Sequence, residues 1–258
     1  MSRIAFATDL HGSLERYTKL AHWLRSNHVE GLFLGGDLLP GGMGLTSPER
    51  LGVDDFISGW LTSLFGDLRA DLGEAYPEIF LIMGNDDPKY EEISFLQGVQ
   101  QGLWRYAHGR TLPFGELTVS GYSFIPPSPF RLKDWERYDV SRFVDVGCVA
   151  PGEGHVTVPM SNYERNFQTI TDDLNDSFGE CNFDRAIFLF HAPPYGTNLD
   201  LADLHGKMID HAPLDPHIGS IAIERFIRRR HPLLCLHGHV HEAARLSGTT
   251  MELLEGTP

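Results

Sequence analysis

Cysteine is scarce in this 258-residue sequence, and its three cysteines lie far apart, at positions 148, 181 and 235. No CxxC pair occurs, so neither a zinc knuckle nor a disulfide framework is available, and a reducing cytoplasmic location is expected. Long apolar runs are missing too. No window approaches the ~20 apolar residues of a transmembrane helix, and no secretory signal is readable. The sequence therefore predicts neither a membrane span nor a membrane partner.

Basic residues are also few. The 21 Lys and Arg residues are outnumbered by 35 Asp and Glu residues, which gives a formal net charge of −14. A surface of that sign repels polyphosphate backbones and anionic membranes, so a nonspecific binder of long nucleic acids is not expected. Histidine, by contrast, is abundant, with 13 residues. The positions of these histidines therefore need an explanation.

Five short apolar runs organise the chain, and each of them ends at polar residues. Runs that are apolar at every position are typical of strands buried on both faces. Helical patterns lie between them; after Ser13, for example, a capped helix is predicted to extend to about residue 28. Strands that alternate with helices predict a layered α/β domain. The five runs are residues 4–7, 31–34, 79–83, 186–190 and 233–236.

Some segments depart from this alternation. Residues 40–52 form a Gly- and Pro-rich loop, and residues 122–156 are too long for a simple connector, so we interpret them as a functional loop. Residues 116–124, 154–159 and 244–254 have the alternating pattern of strands and suggest a second sheet. The whole chain is interpreted as one domain with insertions at the two loops.

Side chains that can bind metal ions follow each of the apolar runs. Their oxygen and nitrogen atoms suit Mn, Fe or Zn better than soft thiolate chemistry would. In layered α/β proteins, ligands gather at the carboxyl ends of the strands, where these residues lie. Seven such side chains exceed what one tetrahedral ion needs, which favours two ions that share a carboxylate. The seven are Asp9, His11, Asp37, Asn85, His191, His239 and His241.

Each of these motifs alone is a weak signal. A second Asp-x-His occurs at residues 215–217, Gly-Asp occurs twice, and a strand-end Gly-Asn often only turns the chain. The order of the motifs is informative, because each motif closes its own apolar strand. In that order, D-x-H, G-D, G-N-x-D, an isolated His and G-H-x-H resemble the calcineurin-like metallophosphoesterases, from residue 9 to residue 241.

The resemblance implies a fold, a set of ligands and a reaction. The implied fold is a four-layered αββα sandwich, with two mixed β-sheets flanked by helices and a two-metal site on one edge of the sheets. The implied reaction is hydrolysis of a phosphate ester by a hydroxide held between two divalent ions. The implied ligands are Asp9, His11 and His241 for one ion, Asn85, His191 and His239 for the other, and Asp37 as the bridge.

Asp86 departs from the family pattern. Many members have a His directly after the Asn, and that His is taken to assist the leaving group. The sequence here is Gly84-Asn85-Asp86-Asp87. Next to two dications Asp86 is expected to be ionised, and therefore a poor proton donor at neutral pH. The candidate catalytic residues are Asn85, Asp86 and His191, and reliance on good leaving groups or on another acid is expected.

The favoured function is a metal-dependent phosphoesterase that prefers phosphodiesters. The missing His weakens leaving-group protonation, and an acidic surface suits a small-molecule or nucleotide ester better than long DNA. A phosphomonoesterase, including a phosphoprotein phosphatase, is the main alternative. A noncatalytic scaffold on the same fold would have degraded ligand positions, whereas every position is filled here.

Two further clusters have open interpretations. Arg131 and Lys133 could bind a phosphate and Trp135 could stack on a base, but packing at the surface is the favoured interpretation. The histidines at 205, 211 and 217 lie among several aspartates. For them a solvated, mobile loop is favoured over a third metal site.

Overall fold

Two four-stranded sheets form the centre of the protein, in a computed structural model that describes residues 3–41, 55–179 and 182–258. The strands are β1 Ile4–Ala7, β2 Gly31–Gly35, β3 Glu78–Ile82, β4 Arg105–Tyr106, β5 Thr111–Phe114, β6 Leu117–Tyr122, β7 Ala186–Phe190, β8 Met208–Ile209, β9 Ala212–Pro213 and β10 Leu234–His237. The first sheet has the order β1-β2-β3-β4, the second has the order β10-β7-β6-β5, and β8 pairs with β9 in a small hairpin.

Helices separate most of these strands along the chain. They are α1 Leu14–Ser26, α2 Thr62–Leu72, α3 Glu92–Gln100, α4 Asn162–Asn166, α5 Ile170–Phe178, α6 Ile221–Arg230 and α7 Ala243–Ser247. A π-helical turn, Phe56–Leu61, leads directly into α2, and a 3-10 turn, Lys89–Glu91, precedes α3. The predicted cap of α1 is confirmed, because the Ser13 side chain accepts a hydrogen bond from the Arg16 backbone N–H. None of the described helices has the length and apolarity needed to span a bilayer.

Alternate residues of the central strands belong to different layers. In β2, Leu32 and Leu34 share a buried cluster with apolar residues of the helices, whereas Phe33 belongs to the core between the sheets. In β7, Phe188 is in the first cluster and Ile187 is in the second. Because both faces of these strands are covered, they are apolar at every position. The two sheets and their outer helices form the predicted αββα sandwich.

Some details differ from the predictions. The first sheet is parallel throughout its described strands, so only the second sheet, with its antiparallel β5, is mixed. The sequence pattern predicts a strand at 244–254, but these residues begin inside α7, where Ala, Arg and Leu favour a helix. Residues 154–159 form one isolated bridge, because the Thr157 backbone N–H donates to the Asp134 carboxylate instead of to a strand. The strand predicted at 116–124 is confirmed as β6.

The two insertion loops have different outcomes. Most of the loop at 40–52 lies outside the described residues, which leave out 42–54. In the loop at 122–156, Lys133 and Trp135 are 1% and 0% exposed, so the prediction of surface packing is wrong for both residues. Lys133 can be buried because its ammonium pairs with the Glu136 carboxylate and donates to the Ser128 carbonyl oxygen. Arg131 is exposed, as predicted.

The loop that follows His191 is also more ordered than predicted. Asp200 is fully buried, and its carboxylate accepts hydrogen bonds from the backbone N–H groups of Thr197 and Gly219. The same carboxylate lies 2.7 Å from Nδ1 of His217. The prediction of a solvated loop is therefore wrong at Asp200, where a buried carboxylate holds the turns together.

Candidate metal centre

The seven predicted ligands follow strands whose carboxyl ends point to one edge of the sandwich. Asp9 and His11 follow β1, Asp37 follows β2, Asn85 follows β3, and His191 follows β7. The remaining two ligands, His239 and His241, follow β10. Because β1, β2 and β3 are parallel to one another, and β7 is parallel to β10, each sheet delivers its ligands to the same side.

The backbone is strained at several of these ligands. Asp9, His11, Asp37 and His239 have positive φ angles of 55°, 45°, 51° and 73°. This left-handed region costs a residue that carries a Cβ atom roughly 1–2 kcal/mol. Such strain is characteristic of functional sites, where the surrounding structure holds side chains in directions that a relaxed strand end does not give.

Asp9, His11 and His241 form the first group of potential ligands. One side-chain nitrogen or oxygen atom from each lies within 4.8 Å of those from the other two. Nε2 of His11 is 3.0 Å from Nε2 of His241, which is in turn 3.3 Å from Oδ1 of Asp9. Two imidazole nitrogens and a carboxylate oxygen that converge in this way fit a divalent cation.

Asp37, His191 and His239 form the second group, with the same upper limit of 4.8 Å between their ligand atoms. Nε2 of His191 lies 3.1 Å from Oδ1 of Asn85 and 3.4 Å from Oδ2 of Asp37. On the other side of the ring, Nδ1 is 2.8 Å from the carbonyl oxygen of Gly35. That contact places a hydrogen on Nδ1 and directs Nε2 into the site, which is the orientation that a ligating histidine requires.

Asp37 lies between the two groups. Besides its place in the second group, it belongs to a third set of close ligand atoms, with His11 and Asp86. A carboxylate in this position can neutralise two cations at once, which is the bridging position that the resemblance implies. The structure thus brings all seven predicted residues together. Their roles as ligands stay predictions.

The charges in the site act strongly on one another. Burial lowers the pKa of His191, but the charges of Asp37 and Asp9, together with the hydrogen bonds to Asp37 and Gly35, outweigh burial and raise this pKa to about 10. Burial raises the pKa of Asp9, but the hydrogen bond with His241 and the charge of His191 outweigh it and hold the pKa well below its usual range. The protein alone therefore keeps the carboxylates of the partly buried Asp9 and the buried Asp37 ionised, which favours the binding of cations.

Sequence reasoning assigned no role to Asp87, although it is the last residue of the G-N-x-D motif. Its side chain is fully buried and accepts hydrogen bonds from the backbone N–H groups of Leu38, Leu39 and Gly84, at 3.1, 2.8 and 2.9 Å. One carboxylate therefore ties the segment after β2 to the segment after β3. Burial, together with the Asp37 charge, raises the pKa of Asp87 to about 7.

Asp86 connects Asn85 with Asp37. Its backbone N–H donates to Oδ1 of Asp37 at 2.8 Å, and its own Oδ1 accepts from Nδ2 of Asn85 at 3.1 Å. The second contact fixes the amide of Asn85, so that its oxygen faces His191. Burial and the Asp37 charge raise the pKa of Asp86 in the protein alone. Two bound dications would act in the opposite direction.

Gly84 is a small residue in contact with the centre, and replacing it tests the geometry without removing a ligand. A Cβ atom added there would lie 2.2 Å from Oδ1 of Asp37 and 2.6 Å from Cε1 of His191. We expect Gly84→Ala to weaken metal binding by about 10- to 100-fold, measured by metal titration calorimetry. The control is Gly66→Ala in α2, where nothing lies within 4 Å of the added atom. Equal metal affinity in both variants would contradict this packing.

A family profile described as Calcineurin-like phosphoesterase matches residues 2–243. That range is nearly the whole sequence, so the chain belongs to the calcineurin-like phosphoesterase family. Family membership implies a metal-dependent hydrolase of phosphoric esters with a dinuclear site, and the two ligand groups are in the place that such a site needs. No curated protein matches the chain significantly.

Solved structures also match the chain. One crystal structure has a TM-score of 0.53 at 18% identity and covers 100% of this chain and 89% of its own. At this identity the match supports the fold alone. The crystal structure of TT1561 from Thermus thermophilus is similar at a TM-score of 0.49 and 15% identity, over 92% of this chain and 81% of its own.

Proposed function

We propose that this protein is a phosphoesterase that uses two divalent ions, Mn, Fe or Zn, and prefers phosphodiesters of small molecules or nucleotides. The observation that carries the proposal is the meeting of two ligand groups at Asp37, in a chain of the calcineurin-like phosphoesterase family. When bound, such a pair of ions supplies charge stabilisation at phosphorus and an activated water at neutral pH. The diester preference is supported by Asp86 standing where many members have a His.

The protein's own groups position the reactants. The Gly35 carbonyl oxygen fixes the ring of His191, and Asp86 fixes the amide of Asn85. Nδ2 of Asn85 has a second hydrogen that can be donated to a phosphate oxygen of the substrate. A cavity of about 640 Å³, lined in part by Asp9 and His241, adjoins the first ligand group and can accept one organic group of a small diester.

Substitution of Asp86 tests whether it is the missing acid. We expect Asp86→Asn to slow hydrolysis of a p-nitrophenyl ester and an alkyl ester by the same factor, because Asp86 orients Asn85 and does not protonate the leaving group. The measurement is the ratio of kcat/KM for the two esters in each enzyme. A large loss on the alkyl ester alone would assign the acid to Asp86, since only a poor leaving group needs a proton.

The proposed activity is tested by metal-reconstituted turnover. The protein is loaded with Mn, Fe, Co or Zn and assayed with bis-p-nitrophenyl phosphate and p-nitrophenyl phosphate. Faster turnover of the diester is the expected result, and faster turnover of the monoester would assign a phosphomonoesterase instead. If neither ester is hydrolysed with any metal, the catalytic proposal is wrong. A protein that also binds no Mn would be a noncatalytic scaffold.

The proposed substrate is a small anion. The net charge of −14 opposes long nucleic acids and anionic membranes, whereas a loaded metal centre is locally attractive to phosphate. We also propose a cytoplasmic location. It is supported by the free thiols of Cys148 and Cys235.

A further inference from the structure

Lys89 is a cation that no carboxylate contacts directly in the described part of the chain, although the charges of Glu92, Glu164 and Asp134 act on it from a longer distance. It lies four residues after Asn85, and its ammonium is 4.7 Å from the ring centroid of Trp135 and 5.5 Å from that of Phe124. The Lys89 backbone N–H is bound by Asp134, but its ammonium forms no hydrogen bond or ion pair with the residues that the structure describes. The side chain is half-buried, and burial lowers its pKa. Burial of an ammonium costs free energy unless the ammonium is paired, so a partly desolvated ammonium of this kind favours binding of an anion.

Two buried donors are also unused, one in Trp135, on whose ring Lys89 lies, and one in Ser123, which precedes Phe124 in the chain. Oγ of Ser123 and Nε1 of Trp135 have no hydrogen-bond partner among the described residues, and both side chains are 0% exposed. His108 joins them: its ring centroid is 4.9 Å from that of Trp135, and its Nδ1 accepts from the Ser123 backbone N–H. Lys89, Ser123, Trp135 and His108 are called the lysine cluster below. Buried donors without acceptors are uncommon in proteins and need an explanation.

The neighbouring cation, Arg137, forms an ion pair with a carboxylate, whereas Lys89 does not. The Arg137 guanidinium lies 4.2 Å from the Phe124 ring, on which Lys89 also rests. Nε of Arg137 is 2.8 Å from Oδ2 of Asp173, so this arginine has its own carboxylate. Burial is the main cause that lowers the pKa of His108, and the charges of Lys89 and Arg137 lower it further, to about 3. His108 is therefore neutral and adds no charge to the cluster. The open positive charge of the lysine cluster is therefore that of Lys89.

The strand register places the lysine cluster beside the second ligand group. Tyr122 in β6 pairs with Phe190 in β7, so Ser123 comes next to His191. His108 forms an isolated bridge with Gly121 in β6, two residues before Ser123. Neighbouring strands are about 4.8 Å apart, which is within the reach of one small substrate.

We propose that the lysine cluster is an anion subsite in which Lys89 binds a second negatively charged group of the substrate. The inference rests on the proposed function, because the subsite adjoins the same centre and extends its substrate site. It narrows the substrate class to phosphate esters that carry another anionic group, a carboxylate or a further phosphate. In a protein with a net charge of −14, an unpaired lysine at this edge distinguishes such esters from esters with one charge.

Binding of phosphonates that cannot be hydrolysed tests the subsite separately from turnover. Calorimetry on the Mn-loaded full chain compares hexylphosphonate, 6-phosphonohexanoate and hexane-1,6-bisphosphonate. The two ligands with a second anion are expected to bind about ten-fold more tightly than hexylphosphonate. If 6-phosphonohexanoate gains more affinity, the subsite prefers a carboxylate. If hexane-1,6-bisphosphonate gains more, it prefers a phosphate. This gain is expected to vanish in Lys89→Met, while the affinity for hexylphosphonate stays within about two-fold.

The matched control is Lys19→Met, which removes an exposed lysine of α1 that pairs with Glu15 and is expected to keep the full gain. Lys89→Arg preserves the cation and is expected to keep most of the gain. Loss of the gain at high salt in the unmodified protein checks the same point without a substitution. The proposal is wrong if the unmodified protein shows no gain, or if Lys89→Met retains it. A protein that shows the gain but hydrolyses no ester would overturn the proposed function and keep the subsite.

Discussion

Asp37→Asn is expected to reduce turnover of a phosphate ester by about 10³-fold or more, the cost of removing a preorganised charge from a catalytic site. Asp37 is 2% exposed and shares close ligand atoms with both His11 and His191. Asparagine has nearly the same shape but is neutral, so it cannot balance two cations. We therefore also expect fewer than two ions per chain by elemental analysis.

The control for this prediction is Asp71→Asn. Asp71 makes a surface ion pair with Arg25, at 2.7 Å, and exposed pairs of this kind contribute little. Turnover and metal content are expected to stay unchanged in this variant. An Asp37→Asn protein that still bound two ions and kept most of its turnover would contradict the bridging role of Asp37.

The strands and the ligands were predictable because both depend on local patterns. A run such as residues 79–83 is apolar at every position, and only a strand covered on both faces buries it completely. Asn85 follows that run, so its place at the edge of the sheet follows from the strand alone. The same reasoning applies to His191 after the run at 186–190. Parallel pairing then brings these strand ends together.

The parts that sequence reasoning missed depend on contacts between distant residues. Asp87 binds backbone N–H groups of Leu38 and Leu39, almost 50 positions earlier in the chain. No local pattern indicates such a contact, because a buried aspartate and an exposed one look alike in a sequence. The alternation at 244–254 was misleading for a related reason. Alternation predicts a strand only where a neighbouring strand is available, and α7 takes up the start of that segment.

The burial of Lys133 and Trp135 was missed in the same way. Lysine is rarely buried unless it is paired, so the sequence favours the surface. Its partner Glu136 is three residues away, a spacing that is common on exposed helices and does not indicate burial. The loop at 122–156, expected to be functional, is thus held in part by an internal ion pair.

Lys133→Met is expected to destabilise the protein by about 3–5 kcal/mol, because it leaves the Glu136 carboxylate buried without its cation. Both side chains of the pair are 0% exposed. The Ser128 hydroxyl and backbone N–H also donate to Glu136, at 2.5 and 2.8 Å, so the carboxylate stays in place when the lysine is removed. Urea unfolding at neutral pH measures the loss. Lys19→Met, at an exposed pair, is expected to unfold at nearly the same urea concentration as the unmodified protein.

The way in which the loss of stability in Lys133→Met changes with pH tests whether the buried Glu136 charge causes that loss. Burial raises the pKa of Glu136 to about 7, above the ordinary value of 4.5, even with Lys133 beside it. A raised pKa means that the folded protein holds the proton more tightly, so stability falls as the pH rises from about 4.5 through 7. Without Lys133 the pKa rises further, and the deficit of Lys133→Met is expected to be larger at pH 8 than at pH 5. Adding Glu136→Gln removes the charge and should restore most of the loss at pH 8. An equal deficit at both values of pH would mean that lost packing, and not the unpaired carboxylate, destabilises the variant.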